Sequence, residues 1–150
     1  MDGFENYWKR FLTLNSEGKE VYDGQKFEKL TKALLTILYG EDWKETKTTH
    51  DGSKDFYLVK DQELLWAECK NYKDSIALNV LAPTLVMAQV CDANVILFFS
   101  RSAINKFAKE KISSFGFRTS KKVFFYDAEI LENLISKYNN RLPLKFQISN

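Results

Sequence analysis

The chain has 150 residues, of which 45% are hydrophobic and 15% aromatic, and this composition excludes an intrinsically disordered protein and indicates one globular domain. Its formal net charge is only +2, and no segment approaches the ~20 consecutive apolar residues of a membrane span. Because the first residues lack the basic and apolar regions of a secretion signal, we expect a soluble, cytoplasmic protein.

The first part of the chain has helical periodicity. A short amphipathic helix that docks on the core is predicted from apolar residues at intervals of three and four: Phe4, Tyr7, Trp8, Phe11 and Leu12. The polar stretch 15–19 is expected to end it. A longer helix is predicted from about Asp23, as its N-cap, to Gly40, as the residue just past its end. We therefore expect an N-terminal helical extension, residues 1–22, followed by a single domain of residues 23–150.

Three strands are predicted next. The first covers 44–49, and a turn at 51–53 leads into the second, 55–60. The dipeptide Asp61-Gln62 then separates that strand from the third, 63–70. We interpret the second and third strands as a hairpin with a two-residue loop.

The rest of the chain alternates helices and strands. A helix is predicted over 77–90, with Pro83 in or near its first turns, and an uninterrupted apolar run at 93–99 predicts a strand covered on both faces. Ser102 is expected to cap a basic helix that reaches about 113. A strand at 122–126 and a helix at 128–138 complete an α/β order, which predicts a mixed central sheet flanked by helices.

Charged residues on the hairpin carry the strongest chemical signal. Glu68 and Lys70 lie two residues apart on an otherwise apolar strand, so both side chains leave the sheet on one face. With a two-residue loop, Asp55 lies directly opposite Glu68. A shift of the strand register by one residue would separate these three charged side chains, and Asp51 could then replace Asp55 as a ligand of a bound ion. Taken alone, Glu68 and Lys70 also fit a simple ion pair at a sheet edge.

A basic region follows the apolar strand. Residues 101–122 carry a local charge of +6, which leaves −4 for the remainder. Such a split favours a surface that binds a polyanion, although the solvated face of a helix has the same pattern. The residues predicted to bind nucleic acid are Arg101, Lys106, Lys109, Arg118, Lys121 and Lys122.

The order and spacing of these features resemble the PD-(D/E)XK restriction-endonuclease-like superfamily, and within it the Mrr-like branch. The resemblance rests on Phe27-Glu28 in the longer helix, the stretch 51–55 ending at Asp55, and Glu68-Cys69-Lys70. It extends from about Gly24 to Leu134 and implies an αβββαβ core. Two positions depart from the pattern. Lys54 replaces the proline before the aspartate, and Phe56 replaces the glycine after it.

The resemblance implies a metal-dependent endonuclease acting on DNA. Asp55, Glu68 and the backbone carbonyl of Cys69 would bind Mg²⁺, with Mn²⁺ as a substitute, because Mg²⁺ prefers hard oxygen ligands. Lys70 would orient or help deprotonate the attacking water and stabilise charge at the phosphate. Glu28 would act on the metal, on a second metal or on a coordinated water, although a helix glutamate is most often only solvated.

The resemblance also implies partners. Relatives of this branch often serve as effector modules of restriction or phage-defence proteins, so we expect a homodimer or higher oligomer, activated by or fused to sensor domains. Two alternatives remain open, a structure-selective nuclease such as a Holliday-junction resolvase and a catalytically silent binding module.

His50 is the only histidine, which excludes multi-histidine zinc sites. Cys69 and Cys91 lack zinc or disulfide spacing, and Tyr57 and Trp66 are expected to pack under the longer helix.

Overall fold

The computed structural model describes residues 3–46 and 55–149, and a central mixed sheet organises them. The helices are α1 (Gly3–Lys9), α2 (Gly24–Tyr39), α3 (Leu78–Val90), α4 (Lys106–Arg118) and α5 (Ala128–Lys137). The strands are β1 (Leu12–Leu14), β2 (Glu20–Tyr22), β3 (Lys44–Glu45), β4 (Phe56–Lys60), β5 (Glu63–Lys70), β6 (Val95–Ser100) and β7 (Lys122–Asp127). Short 3-10 turns at Asn139–Arg141 and Leu144–Phe146 follow. Within the described ranges, no helix is both long and apolar enough to cross a membrane.

The large sheet has the strand order β3-β4-β5-β6-β7. Neighbouring strands from β3 to β5 are antiparallel, and those from β5 to β7 are parallel. The helices α2, α3 and α4 connect or flank these strands, so the predicted αβββαβ order and the mixed sheet are confirmed. Strand β6 is buried along its whole length, as its apolar run predicted.

The hairpin of β4 and β5 has the predicted register. Lys60 pairs with Glu63, and Phe56 pairs with Ala67 at the other end. Asp61 and Gln62 both have positive φ values, 52° and 66°, which is the backbone conformation of a two-residue type I′ turn. The pairing therefore holds although the dipeptide is not one of the sequences that most favour this turn.

The two faces of the sheet form two separate cores. On β5, Leu65, Ala67 and Cys69 belong to the core cluster that includes α1, α2 and α5. Trp66 belongs to the opposite cluster, which α3 and α4 cover. Since side chains alternate along a strand, Glu68 and Lys70 leave β5 on the α3 side.

The predicted ends of α2 are confirmed. The side chain of Asp23 accepts hydrogen bonds from the backbone N–H groups of Gln25 and Lys26, at 2.9 and 3.2 Å. Gly40 ends the helix with a φ of 97°, which favours glycine.

The predicted cap of the basic helix is wrong. Asn105, not Ser102, is the N-cap of α4, and its side chain accepts a hydrogen bond from Ala108 N at 3.2 Å. The chain first makes a bridge between Ile104 and Ile76, which links the two loops that follow β5 and β6. This pairing joins residues far apart in the sequence, and α4 begins only after it, at Lys106.

The N-terminal extension is only partly helical. The stretch 15–19, expected to end a helix, is instead the turn of a hairpin formed by β1 and β2. The Asn15 side chain accepts hydrogen bonds from Glu17 N and Lys19 N and so supplies the turn. The extension docks on the core, as predicted, because its aromatic side chains belong to the main core cluster. The Tyr7 hydroxyl also donates a hydrogen bond to Phe146 O at 2.7 Å.

Asn71 links the extension to the end of β5. It is buried, and its Nδ2 donates to Phe11 O at 3.0 Å and to Asp23 O at 3.1 Å. One amide therefore satisfies two backbone carbonyls on either side of the β1–β2 hairpin.

We expect Asn71→Ala to lower the free energy of unfolding by about 1–3 kcal/mol, because it leaves buried carbonyls without this donor. Urea denaturation followed by circular dichroism measures the change. Asn79→Ala on the exposed face of α3 is the matched control and should cost nothing, since alanine favours a helix. Equal stability of both variants would contradict the role of Asn71.

Candidate active site

Asp55 is held in place by its neighbours on both sides. Its N–H donates to the Thr46 hydroxyl, and its carbonyl accepts from Thr46 N, both at 2.9 Å. Its Oδ2 accepts a hydrogen bond from Trp66 Nε1 at 2.9 Å. Continuing the hairpin register by one pair from Phe56 and Ala67 places Asp55 opposite Glu68, as predicted.

Trp66 and Tyr57 do not pack under α2, and that expectation is wrong. Their rings are stacked with centroids 5.6 Å apart. Trp66 belongs to the core beneath α3 and α4, and Tyr57 packs against that core. The register predicts this placement, because both residues share a face with Glu68 and α2 covers the other face. The indole therefore supports Asp55 from beside the candidate site.

Glu68 is a buried carboxylate with donors around it. Its Oε2 accepts a hydrogen bond from the Thr84 hydroxyl of α3 and lies 3.9 Å from Lys70 Nζ. Both charged side chains are only 6% exposed. Removing two charges from water is costly unless they are compensated, and here the two charges pair with each other while Glu68 also accepts the Thr84 hydrogen bond.

Cys69 points the other way, toward α2. Burial raises the pKa of its thiol, and the nearby Glu28 and Glu68 carboxylates raise it further, against the effects of the Thr31 hydrogen bond and Lys70. The thiol is therefore neutral near pH 7 and is a poor nucleophile or metal ligand. This agrees with a role for the backbone carbonyl alone, which stays a prediction.

A cavity of about 390 Å³ opens beside the end of β5. Glu28, from α2, and Lys70 both line it, and the β1–β2 hairpin contributes Thr13 and Tyr22. Asp55 and Glu68 are not among its lining residues. Lys70 thus pairs with the buried Glu68 carboxylate and is also one of the residues that line the cavity.

The donor set fits a hard divalent cation. Asp55 and Glu68 offer carboxylate oxygens from opposed positions of one sheet face, and Mg²⁺ takes only one or two protein carboxylates while keeping several waters. Across residues 3–46 and 55–149, no three His, Cys, Asp or Glu side chains form a group that could hold a metal ion. A role for Glu28 at the metal stays a prediction.

The six residues predicted to bind nucleic acid have different surroundings. The Arg101 guanidinium lies over the Tyr22 ring at 4.4 Å, Lys109 forms an ion pair with Asp127 at 2.9 Å, and Lys121 donates to Ala93 O. The other three, Lys106, Arg118 and Lys122, are exposed, and Arg118 Nε also donates to Ser114 O at 3.3 Å. Four of the six are thus engaged within the protein.

Two supporting residues were missed from the sequence. Thr84 is a lone buried hydroxyl in an apolar helix, and Trp66 was assigned to packing alone. Thr84 gave a usable signal, because a buried hydroxyl requires a partner. Asp51 and His50 lie outside the described residues, together with the rest of the segment 47–54.

Comparison with known proteins adds two findings. A family model described as "Restriction endonuclease", Mrr_cat, matches residues 20–135. Among solved structures, the chain is similar to the DNA modification-dependent restriction endonuclease AspBHI, with a TM-score of 0.62 and 16% sequence identity. The match covers 81% of this chain and 33% of that one, so the chain spans about a third of its length. At this identity the likeness shows a shared fold. No curated protein matches the chain.

We expect Thr84→Val to lower the free energy of unfolding by about 1.5–3 kcal/mol, because Glu68 loses a buried donor while the side-chain volume is kept. Thr84→Ser keeps the hydroxyl and is the matched control, with a smaller expected loss. Urea titrations of both variants without added metal measure the difference. A larger loss for serine than for valine would show that Thr84 serves packing and not Glu68.

Proposed function

This chain belongs to the restriction endonuclease family defined by the Mrr catalytic domain, a family of DNA nucleases, and from that premise we propose that it is a metal-dependent endonuclease that hydrolyses DNA phosphodiester bonds. The observation that carries the metal-dependent mechanism is the buried pair of Glu68 and Lys70 with Asp55 opposite. A purely structural role would not require two carboxylates and an ammonium on one face of the sheet, with two of them on its middle strand.

Asp55, Glu68 and the Cys69 carbonyl are the groups that we propose to hold Mg²⁺. The bound ion would polarise the phosphoryl oxygen and offset the negative charge that develops on the leaving oxygen. Trp66 and Thr84 act as positioning residues, since each donates a hydrogen bond to one of the two carboxylates. Fixed donors keep the carboxylates oriented and reduce the cost of reorganisation during the reaction.

Lys70 is the residue that we propose to act on the substrate directly. It pairs with Glu68 and is one of the residues that line the cavity, and in this proposal its ammonium orients the attacking water and stabilises charge on the phosphate. Glu28 lines the same cavity from α2, which supports a role in orienting the water.

We further propose that the chain is the effector module of a restriction or defence system. Support comes from the family and from the extent of the structural match, which covers 81% of this chain but only 33% of the solved relative. Regions beyond the nuclease fold in such a protein can supply recognition or activation. In this proposal, sensor domains fused to the chain or binding to it activate the nuclease.

A homodimer is the assembly that α3 supports. This helix has no charged side chain, yet Val86, Met87 and Val90 are 60%, 44% and 72% exposed. A symmetric interface brings each residue close to its own copy or to a neighbour of it, so an uncharged face can meet itself without repulsion. Two copies of α4, by contrast, would bring several like charges together, because this helix carries three lysines and an arginine.

Cleavage of supercoiled plasmid tests the nuclease function. We expect cutting with Mg²⁺ or Mn²⁺ and none in EDTA. Lys70→Ala and Asp55→Ala should each lower the rate at least about 100-fold, since the first removes a positive charge at the phosphate and the second removes a ligand of the proposed metal ion. Lys73→Ala, an exposed lysine three residues further on, is the charge-matched control for Lys70→Ala and should cut normally.

The other outcomes separate the alternatives. Cutting that persists in both active-site variants would refute the assigned site. A strong preference for four-way junctions over linear duplex would favour a structure-selective nuclease. Binding in EDTA without cutting by any form would favour a catalytically silent module.

We expect Val86→Lys/Val90→Lys to convert a dimer to monomer, because four like charges would then meet at a symmetric α3 interface. Size-exclusion chromatography with light scattering measures the mass. Val59→Lys on β4, where the valine is 71% exposed, is the control and should leave the dimer intact. A wild-type protein that is fully active as a monomer would contradict this assembly.

A further inference from the structure

A basic groove lies on the outer side of α2, away from the region 101–122. Two adjoining cavities, of about 370 and 440 Å³, share Lys29, Lys145 and Phe146 in their walls. No acidic residue of the described chain lines either cavity. The cations that line them, defined here as the α2 groove, are Arg10, Lys26, Lys29, Lys32, Arg141 and Lys145.

Distant parts of the chain build the groove. One wall is α2, where Lys26, Lys29 and Lys32 are exposed at three-residue intervals, each a rise of about 4.5 Å along the helix axis. The other wall is the C-terminal segment, which Arg10 holds through hydrogen bonds to Gln147 O and to the Ser149 hydroxyl. This docking brings Lys145 across from α2.

A third cavity connects the groove with the candidate active site. It has a volume of about 320 Å³ and is lined by Lys29 and Lys32 together with two acidic residues, Glu28 and Glu45. Glu28 also lines the cavity that Lys70 lines. Lys32 lies 3.8 Å from Glu45, and their side chains are 48% and 40% exposed, so the pair contributes little to stability.

Three cations of the groove are available to a ligand. Lys29, Arg141 and Lys145 are exposed and form no ion pair with any described residue. The other three are already engaged: Arg10 and Lys26 donate hydrogen bonds within the protein, and Lys32 pairs with Glu45. The charge that a polyanion would meet here is therefore mainly that of the first three.

We propose that the α2 groove binds the phosphate backbone of the DNA substrate on its way to the active site. The inference rests on the proposed nuclease function, which supplies the ligand. A linear polyanion fits a row of cations along α2 that continues into a cavity lined by Glu28, and release of counterions from phosphates by lysine and arginine supplies most of such affinity. The groove would thus set where the substrate strand runs, independently of base sequence.

The test is a binding measurement, so that it does not depend on catalysis. The full chain and its variant Lys29→Gln/Arg141→Gln/Lys145→Gln are titrated against a fluorescein-labelled DNA duplex in EDTA, with fluorescence anisotropy read at several salt concentrations. We expect the variant to bind at least tenfold more weakly. The slope of log affinity against log salt should also fall, by about 0.9 for each phosphate that the variant no longer neutralises.

A second triple variant removes the same charge from the other basic surface. Lys106→Gln/Lys111→Gln/Lys122→Gln lowers the net charge equally, so any effect of net charge alone appears in both variants. We expect its loss of affinity to be several-fold smaller. Equal losses, or a loss only on the α4 side, would overturn the groove. Thermal melting of both variants verifies that they fold, and all substituted positions are exposed.

Failure of the groove and failure of the proposed function give different results. If the wild type cuts plasmid while the groove variant binds DNA with unchanged affinity and salt slope, the groove is refuted and the nuclease stands. If the wild type binds duplex through the groove but no condition produces cutting, the groove stands and the nuclease is refuted.

Discussion

The burial of two opposite charges on β5 is the constraint on which the rest of the site depends. Glu68 and Lys70 are almost fully removed from water, and the desolvation of each ion costs several kcal/mol even after relaxation. Their mutual attraction and the Thr84 hydroxyl offset that cost only while α3 stays packed on this face of the sheet. The apolar character of α3 is therefore linked to the chemistry: the helix excludes water from the pair and contributes one donor. Catalytic geometry and the stability of this half of the protein cannot be separated.

The opposite face of β5 completes the site by different means. Cys69 faces α2 with a thiol that burial keeps neutral, so α2 can approach the strand closely without another charge between them. The same helix brings Glu28 to the cavity that Lys70 lines. The β1–β2 hairpin closes that cavity with Thr13 and Tyr22, and Asn71 ties it to the strand. The family match begins at residue 20, so Thr13 on β1 lies before the matched range, whereas Tyr22 on β2 lies within it.

The density of basic residues along the sequence does not predict where exposed basic residues gather on the folded surface. Residues 101–122 have the highest local density of basic residues, but the fold uses Lys109 to pair with Asp127 and Lys121 to cap a loop carbonyl. The cations of the α2 groove come from three separate segments, none of which has a conspicuous charge in the sequence. They meet because Arg10 and Tyr7 hold the C-terminal segment against the first helix and α2. Only tertiary packing distinguishes a cation that is already satisfied from one that faces solvent.

The sequence by itself determined the features that depend on local periodicity and spacing. It predicted α2 with Asp23 and Gly40 at its ends, the register of the β4–β5 hairpin, the αβββαβ order and the family, because each depends on contacts between near neighbours or on a short motif. It missed the β1–β2 hairpin, the Asn105 cap and the partners of Asp55 and Glu68. Tertiary structure decided these, since the loop before α4 is delayed by a bridge from Ile104 to Ile76, and Thr84 reaches Glu68 only when α3 folds across the sheet. A residue's pattern fixes the face on which it lies, whereas its partner there comes from a distant part of the chain.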